Sequence, residues 1–267
     1  LAITSPFAAS QQRAPAPSPS PAPDAETGIA VTQMIGGAVH PGLRWSGISD
    51  VSADLWVLYQ READRLLWFE AGRPVPAVDE AVAAVADAAA YGLRPDDYDA
   101  AALQVQWAAL RRQQGTSVER ASFDVALSVA TTRLMRAVHI GRVDPARLRW
   151  GYTGPRKPMD LPRLLAEVRD GRPLARLLRD LEPQFSHYRR ARATLATYRA
   201  LAEAGEPPLV PALPAGTKKI GPGQIWTAAP QLAARLRAVG DLLGDEAGRT
   251  PSYDAPLVDA VKRFQLR

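Results

Sequence analysis

The sequence has 267 residues, 46% of them hydrophobic, and a formal net charge of +5. This is enough for one large or two modest domains with a sizeable core. It contains no cysteine, which excludes disulfides, cysteine-ligated metal sites and a thiol nucleophile within these residues. Lysine occurs only at positions 157, 218, 219 and 262 and asparagine is absent, so the cations are mostly arginine. This bias is typical of GC-rich coding sequences, and the basic balance is therefore weak evidence for a nucleic-acid partner.

The first 49 residues resemble an export leader followed by a tether. Residues 1–10 run from apolar into small side chains, as at the end of a secretory signal, although an arbitrary fragment end explains them equally well. Between residues 13 and 23, proline occupies every second position and favours an extended backbone. We therefore assign 1–49 to a signal remnant and a Pro/Ala/Ser-rich disordered tether, and expect a periplasmic or cell-envelope location.

Hydrophobic spacing predicts no transmembrane segment and a mainly α fold. Residues 27–43 carry no charged side chain but are short for a membrane span. From residue 50 onwards, apolar residues recur at helical spacing, and each predicted helix is expected to be amphipathic. Three stripes carry the prediction, and their members are Val78, Val82, Val85 and Ala89; Phe123, Leu127, Ala130, Leu134 and Val138; and Tyr188, Ala191, Leu195, Tyr198 and Ala202.

The same pattern gives a domain organisation. Residues 50–203 are predicted to form a helical domain, and 204–223, which contain five prolines, a linker. Residues 224–267 show two further helical patterns, and we expect a small helical module that is truncated within the sequence given. Two helices bury little apolar surface, so this module is expected to be marginally stable by itself.

Motifs for catalysis, metal binding or cofactor binding are not found, and no catalytic, metal-ligating or cofactor-binding residue is assigned. His40, His139 and His187 are isolated in the sequence, and His139 is expected to interact with carbonyl groups at a helix end. Gly221-Pro222-Gly223 lacks the third glycine and the preceding strand of a dinucleotide-binding loop.

Acidic residues cluster at Asp96, Asp97 and Asp99. Two carboxylates across a cleft could serve glycoside hydrolysis, but adjacent carboxylates before a helix more often cap it. We favour the capping interpretation, in which Asp97→Ala reduces stability and leaves turnover unchanged.

Residues 142–199 are basic, with thirteen arginines and one lysine against six acidic residues. Such a surface could bind phosphate, an anionic envelope polymer or peptide carboxylates. Solvated helix faces in an arginine-rich protein explain the same counts. The aromatic residues of this segment, Tyr152, Phe185, Tyr188 and Tyr198, mostly fit core stripes and do not indicate a base-stacking platform.

Several strings, in order along the chain, resemble large periplasmic L,D-transpeptidases. Residues 68–74, Trp-Phe-Glu-Ala-Gly-Arg-Pro, and 88–98 resemble the opening of the scaffold domain of that family. Residues 124–128, 141–145 and 181–183 resemble its later landmarks. Residues 220–223, 232–237, 240–242 and 253–265 resemble the start of a peptidoglycan-binding module. The resemblance covers roughly 50–267.

The resemblance implies an enzyme that cross-links peptidoglycan stem peptides through a cysteine acyl-enzyme. In the family, a Ser-x-Gly-Cys-x-Arg signature follows the peptidoglycan-binding module, and no residue here matches it, since the sequence has no cysteine. The first hypothesis is therefore the non-catalytic N-terminal portion of an L,D-transpeptidase, with peptidoglycan and its own downstream catalytic domain as partners. A stand-alone wall-binding or scaffolding envelope protein is the alternative, and nucleic-acid binding by the basic region is a third, weaker hypothesis that the export leader argues against.

Overall fold

The computed structural model describes residues 23–61, 65–113, 115–143, 151, 157–205, 207–244 and 249–266. The predicted signal remnant, the run of prolines up to residue 22 and Tyr152 lie outside these residues. The fold is mainly α, as the apolar spacing predicts. Its helices are α1 Pro23–Gly36, α2 Ser52–Arg61, α3 Ala77–Ala86, α4 Ala100–Gln113, α5 Ser117–His139, α6 Leu161–Arg169, α7 Leu174–Leu181, α8 Ser186–Glu203, α9 Ala229–Ala238 and α10 Ala255–Leu266.

Short segments of other structure interrupt the helices. Strands β1 Phe69–Glu70 and β2 Arg73–Pro74 form an antiparallel hairpin. Ala71 and Gly72 connect them with positive φ angles of 46° and 75°, the backbone that a two-residue hairpin turn of type I′ requires. Single 3-10 turns cover Asp87–Tyr91 and Pro95–Tyr98.

The chain divides into two compact units. The first consists of Leu1–Ala88 and Arg94–Glu182, and the second of Ala89–Leu93 and Pro183–Arg267. Helices α1 to α7 thus belong to the first unit and α8 to α10 to the second. The predicted linker, 204–223, lies inside the second unit, and its role as a domain boundary stays a prediction.

Helix α5 is the centre of the first unit. A reciprocal cap starts it: the Glu119 amide donates to the Thr116 hydroxyl over 3.1 Å, and the Thr116 amide donates to the Glu119 carboxylate over 2.7 Å. Helices α1, α3, α4, α6 and α7 all contact it. The prediction that α5 is amphipathic is wrong, because both the predicted stripe and intervening residues such as Val125 and Val129 are buried.

Helix α1 corrects the prediction of a disordered tether for residues 23–49. It packs against α5 and buries Val31 and Ile35. The loop that follows is also anchored, since Ile48 is buried and its amide donates to the Ala38 carbonyl over 2.9 Å. Residues 27–43 carry no charged side chain, which suits an apolar contact with α5 that the sequence pattern alone did not reveal.

The second unit combines an exposed helix with a small core. Helix α8 has no buried residue, which corrects the prediction that its apolar stripe faces a core. Helices α9 and α10 enclose a cluster that includes Trp226, Leu236 and Leu257. The segments preceding these helices are joined by backbone hydrogen bonds, among them Trp226 N–H to the Pro251 carbonyl at 2.7 Å. Among the described helices, none has the length and apolar character needed to span a membrane.

Candidate functional site

A polar cavity of about 370 Å³ opens at the C-terminal end of α5, within the first unit. It is called the arginine cavity below. Three segments that are far apart in the sequence form it: the loop before α2, the 3-10 turn Pro95–Tyr98, and the end of α5 with the residues that follow. Its lining residues are Trp45, Asp50, Asp97, Tyr98, Arg133, Arg136, Ala137, Gly141 and Arg142.

The helical repeat of α5 places two of the arginines side by side. Arg133 and Arg136 are three residues apart and therefore share one face of the helix. The helix ends at His139, and Gly141, two residues later, has a φ of 96° in the left-handed region and donates its amide to the Ala137 carbonyl over 3.1 Å. This turn directs the chain so that Arg142 also lines the cavity.

Asp50 holds the first two arginines. Arg133 donates from Nε and Nη2 to the two carboxylate oxygens of Asp50, over 3.1 and 2.7 Å, and from Nη2 to the Gly47 carbonyl over 2.8 Å. Arg136 donates from Nη1 to the backbone carbonyl of Asp50. Only 16% of the Arg133 side chain is exposed, so this two-pronged ion pair is a well-ordered part of the cavity wall.

Asp97 holds the third arginine through Arg142 Nη1. Tyr98, the next residue, is buried, and this burial raises the pKa of its hydroxyl above the usual range. Burial also raises the pKa of Asp54, against the opposing positive charge of Arg136. The positive charge of Arg136 thus acts on the Asp54 carboxyl group as well.

Among the described residues, the charges that line the arginine cavity do not balance. Arg133, Arg136 and Arg142 contribute three positive charges, and Asp50 and Asp97 contribute two negative ones. One unit of positive charge is left over in a concave, partly desolvated site. Such a site favours a small anion, because guanidinium groups give directed, charge-assisted hydrogen bonds.

A second polar arrangement is fully buried. Asp124 of α5 accepts hydrogen bonds from the Tyr59 hydroxyl at 2.5 Å, the Leu67 amide at 3.0 Å and the Trp68 amide at 2.7 Å. Ser128, one helical turn further on, accepts from the Trp68 indole N–H at 3.0 Å and lies 2.9 Å from the Tyr59 hydroxyl. These contacts are called the Asp124 network.

The Asp124 network connects α2, the segment before β1 and α5. Complete burial raises the pKa of Asp124 to about 7, although the three donors partly oppose this by stabilising the carboxylate. The raised pKa of the Tyr59 hydroxyl has the same main cause, burial. Since the network is closed to solvent and every group in it has a partner, its role is to fix the positions of these segments.

An apolar groove of about 490 Å³ lies in the second unit. Its lining includes Trp226, Leu232, Leu236, Tyr253, Val261 and Phe264. Nothing in the described residues identifies an occupant.

His40 and His139 occupy different environments. His40 is buried, and its Nε2 donates to the Ser122 carbonyl over 2.8 Å while Nδ1 accepts from the Gly42 amide over 3.2 Å. Burial lowers the pKa of His40 and keeps it neutral. His139 donates from Nδ1 to the Leu181 carbonyl over 3.1 Å, in agreement with its expected interaction at a helix end. Among the described residues, no group of histidine and carboxylate side chains could hold a metal ion.

The acidic cluster does not cap a helix, which corrects that prediction. Asp96 and Asp97 lie within the 3-10 turn, which has no side-chain cap. Asp97 pairs with Arg142 and Asp96 with Arg94, whereas Asp99 accepts from the Arg44 amide over 2.8 Å. Asp97 and Asp99 therefore bind groups that are distant in the sequence, whereas Asp96 pairs with the nearby Arg94.

The basic segment, 142–199, belongs to both units. In the first unit, Arg163 and Arg172 both pair with Glu167, and Arg172 also pairs with Asp180. In the second unit, the Arg192 guanidinium lies 4.9 Å from the centre of the Tyr91 ring. Much of the positive charge is thus engaged locally, and of the described residues of this segment only Arg142 lines the arginine cavity.

Sequence reasoning missed the arginine cavity and the Asp124 network. A usable signal existed for the network, since Asp124 and Ser128 are polar residues four apart within an otherwise apolar helix. No comparable signal marks the arginine cavity, whose residues meet only in the folded chain.

Comparison with known proteins identifies one family. A family model described as Scaffold domain matches residues 53–195, which is more than half of the chain. No curated protein and no solved structure gives a match. The matched range begins in α2 and ends within α8.

Proposed function

The chain belongs to the Scaffold domain family, and from this membership we propose that it is the non-catalytic N-terminal portion of an L,D-transpeptidase. It would take part in peptidoglycan cross-linking and cell-wall remodelling in the periplasm or cell envelope. Its partners would be peptidoglycan and its own downstream, cysteine-dependent catalytic domain. The observation that carries the proposal is the family match over 53–195, within which several of the resembling strings fall.

Two features of the first unit support a positioning role. Helix α5 packs against α1, α3, α4, α6 and α7, and the Asp124 network fixes α2 and the β1 segment to it. A body with a fully packed central helix is rigid enough to hold an attached domain in a defined place.

The second unit supports the wall-binding part of the proposal. Helices α9 and α10 enclose a core of their own and leave an apolar groove of about 490 Å³. These helices contain residues 232–237 and most of 253–265, two of the strings that resemble a peptidoglycan-binding module.

The decisive experiment follows the natural reading frame beyond Arg267 and assays its full product. We expect a Ser-x-Gly-Cys-x-Arg signature with an upstream histidine, and cross-linking of purified muropeptides that is lost when that cysteine is replaced by alanine. A reading frame that ends near Arg267, or a full product without cross-linking activity, contradicts the proposal. Retention on purified sacculi without cross-linking by the full product would instead support a non-enzymatic wall-binding or scaffolding protein.

A further inference from the structure

We propose that the arginine cavity is a binding site for a carboxylate group on a small ligand, such as the C-terminus of a short peptide or a carboxylated sugar. The site lies wholly within the first unit. Its charge and geometry do not depend on whether a catalytic domain follows the chain.

The charge of the lining selects a monoanion. In the described part of the lining, three arginines and two aspartates leave one positive charge, which a single carboxylate neutralises. A phosphate dianion would leave the site negative and would lie close to Asp50 and Asp97, so its binding is disfavoured by like-charge repulsion.

In two of the arginines, the Nε–Nη2 edge of the guanidinium group, which can bind a carboxylate, makes no hydrogen bond with a described residue. Arg136 and Arg142 each use only Nη1 for their hydrogen bonds with described residues, to the Asp50 carbonyl and to Asp97 respectively. In the part of the chain that the structure describes, their Nε and Nη2 groups have no partner. The Nε and Nη2 hydrogens of a guanidinium point the same way and bind both oxygens of a carboxylate. Arg133 shows this geometry with Asp50, since it uses its Nε and Nη2.

The remaining wall suits the rest of a small ligand. Trp45 is 56% exposed and lines the cavity, so its indole can cover an apolar group or a sugar ring next to the carboxylate. A volume of about 370 Å³ is near the lower end of the range of roughly 300–1,000 Å³ found for small-molecule sites. The ligand portion held here is therefore the size of a dipeptide or a monosaccharide.

The test is calorimetric titration of the whole chain with four small probes. They are N-acetyl-Ala-Ala with a free C-terminus, its C-terminal amide, glucuronic acid and inorganic phosphate. We expect the free peptide acid or glucuronic acid to bind with a Kd in the millimolar range, and the amide at least about tenfold more weakly because it lacks the charge. The acid that binds with the lower Kd identifies whether a peptide or a sugar is the preferred source of the carboxylate.

Arg142→Gln and Arg136→Gln are the variants that connect binding to the cavity. Each should weaken binding of the preferred acid at least about tenfold, since each removes one guanidinium group and its paired hydrogen-bond donors. Arg163→Gln is the matched control, because Arg163 is an exposed arginine of the first unit that pairs with Glu167 outside the cavity. A chemical-shift titration of the Trp45 indole signal reports binding independently and also shows whether each variant is folded.

Three outcomes would overturn the proposal. They are no binding of either acid at about 20 mM, which corresponds to less than roughly 2.3 kcal/mol of affinity; equal binding of the acid and its amide; and equal loss in the Arg163→Gln control. Phosphate binding that is tighter than carboxylate binding would also overturn it, because the lining charge could not then be the basis of selection.

Discussion

Helices α5 and α8 have similar apolar spacing in the sequence but opposite burial. Phe123 and Leu127 of α5 are 1% and 0% exposed, whereas Leu195 and Tyr198 of α8 are 37% and 46% exposed. Helix α5 packs against α1, α3, α4, α6 and α7 and is hydrogen-bonded to α2 through Asp124, while α8 has no buried residue along its length. The difference shows that apolar periodicity predicts a helix and the face it would bury, but burial depends on the elements that surround it.

The largest effect is expected from Asp124→Ala. This change leaves the buried amides of Leu67 and Trp68 without an acceptor, and each such loss costs about 1–3 kcal/mol. With the small cavity that the missing carboxyl leaves, we expect the free energy of unfolding to fall by about 3–6 kcal/mol. Urea unfolding followed by circular dichroism measures it.

Asp124→Asn is the matched control for shape. Its amide nitrogen must face one of the amides that donates to the native carboxylate, so it should cost about 1–3 kcal/mol, less than alanine. Equal costs for the two variants, or a cost below about 1 kcal/mol for Asp124→Ala, would show that the Asp124 network does not stabilise α5.

Leu127→Ala and Leu195→Ala test the comparison of the two helices directly. Leu127 is completely buried, and its truncation should destabilise the first unit by about 2–5 kcal/mol. Leu195 is 37% exposed, and its truncation should cost less than about 1 kcal/mol. Thermal melts of the two variants under the same conditions separate the outcomes, and equal shifts in Tm would mean that α8 buries its apolar face in solution.

The sequence predicted elements better than it predicted their environments. Spacing alone located most of α3, α5 and the two helices of the C-terminal module, because helical periodicity is a local property. It missed α1, since the burial of Val31 and Ile35 requires α5, which begins some eighty residues later. It also missed the arginine cavity, because Trp45, Asp97 and Arg142 come together only through the tertiary fold.

We expect the titration of Asp124 to contribute to the pH dependence of the free energy of unfolding. Its pKa is raised from 3.8 to about 7 in the folded chain, so the folded state holds a proton that the unfolded state releases. The free energy of unfolding therefore falls as pH rises from about 4 to about 7, by up to about 1.4 kcal/mol per pH unit. Above that range this contribution is constant.

The measurement compares the native chain with Asp124→Asn from pH 4 to pH 8. Glu119 and Glu167 contribute in the opposite direction, because hydrogen bonds lower their pKa values. Their contributions are shared by both proteins and cancel in the difference. The native chain should lose stability relative to the variant as pH rises, and parallel curves would mean that the Asp124 carboxyl titrates as in the unfolded chain.

The smallest effect is expected from Asp97→Ala, which removes an ion pair near the surface. Half of the Arg142 side chain and 21% of the Asp97 side chain are exposed, so the pair should contribute less than about 1 kcal/mol. A double-mutant cycle with Arg142→Gln, measured by urea unfolding, distinguishes the ion pair from the helix-capping role expected from the sequence. If the ion pair is the only contribution, Asp97→Ala has no further effect once Arg142 is replaced. If Asp97 acted as a helix cap, its loss would cost the same amount in both backgrounds.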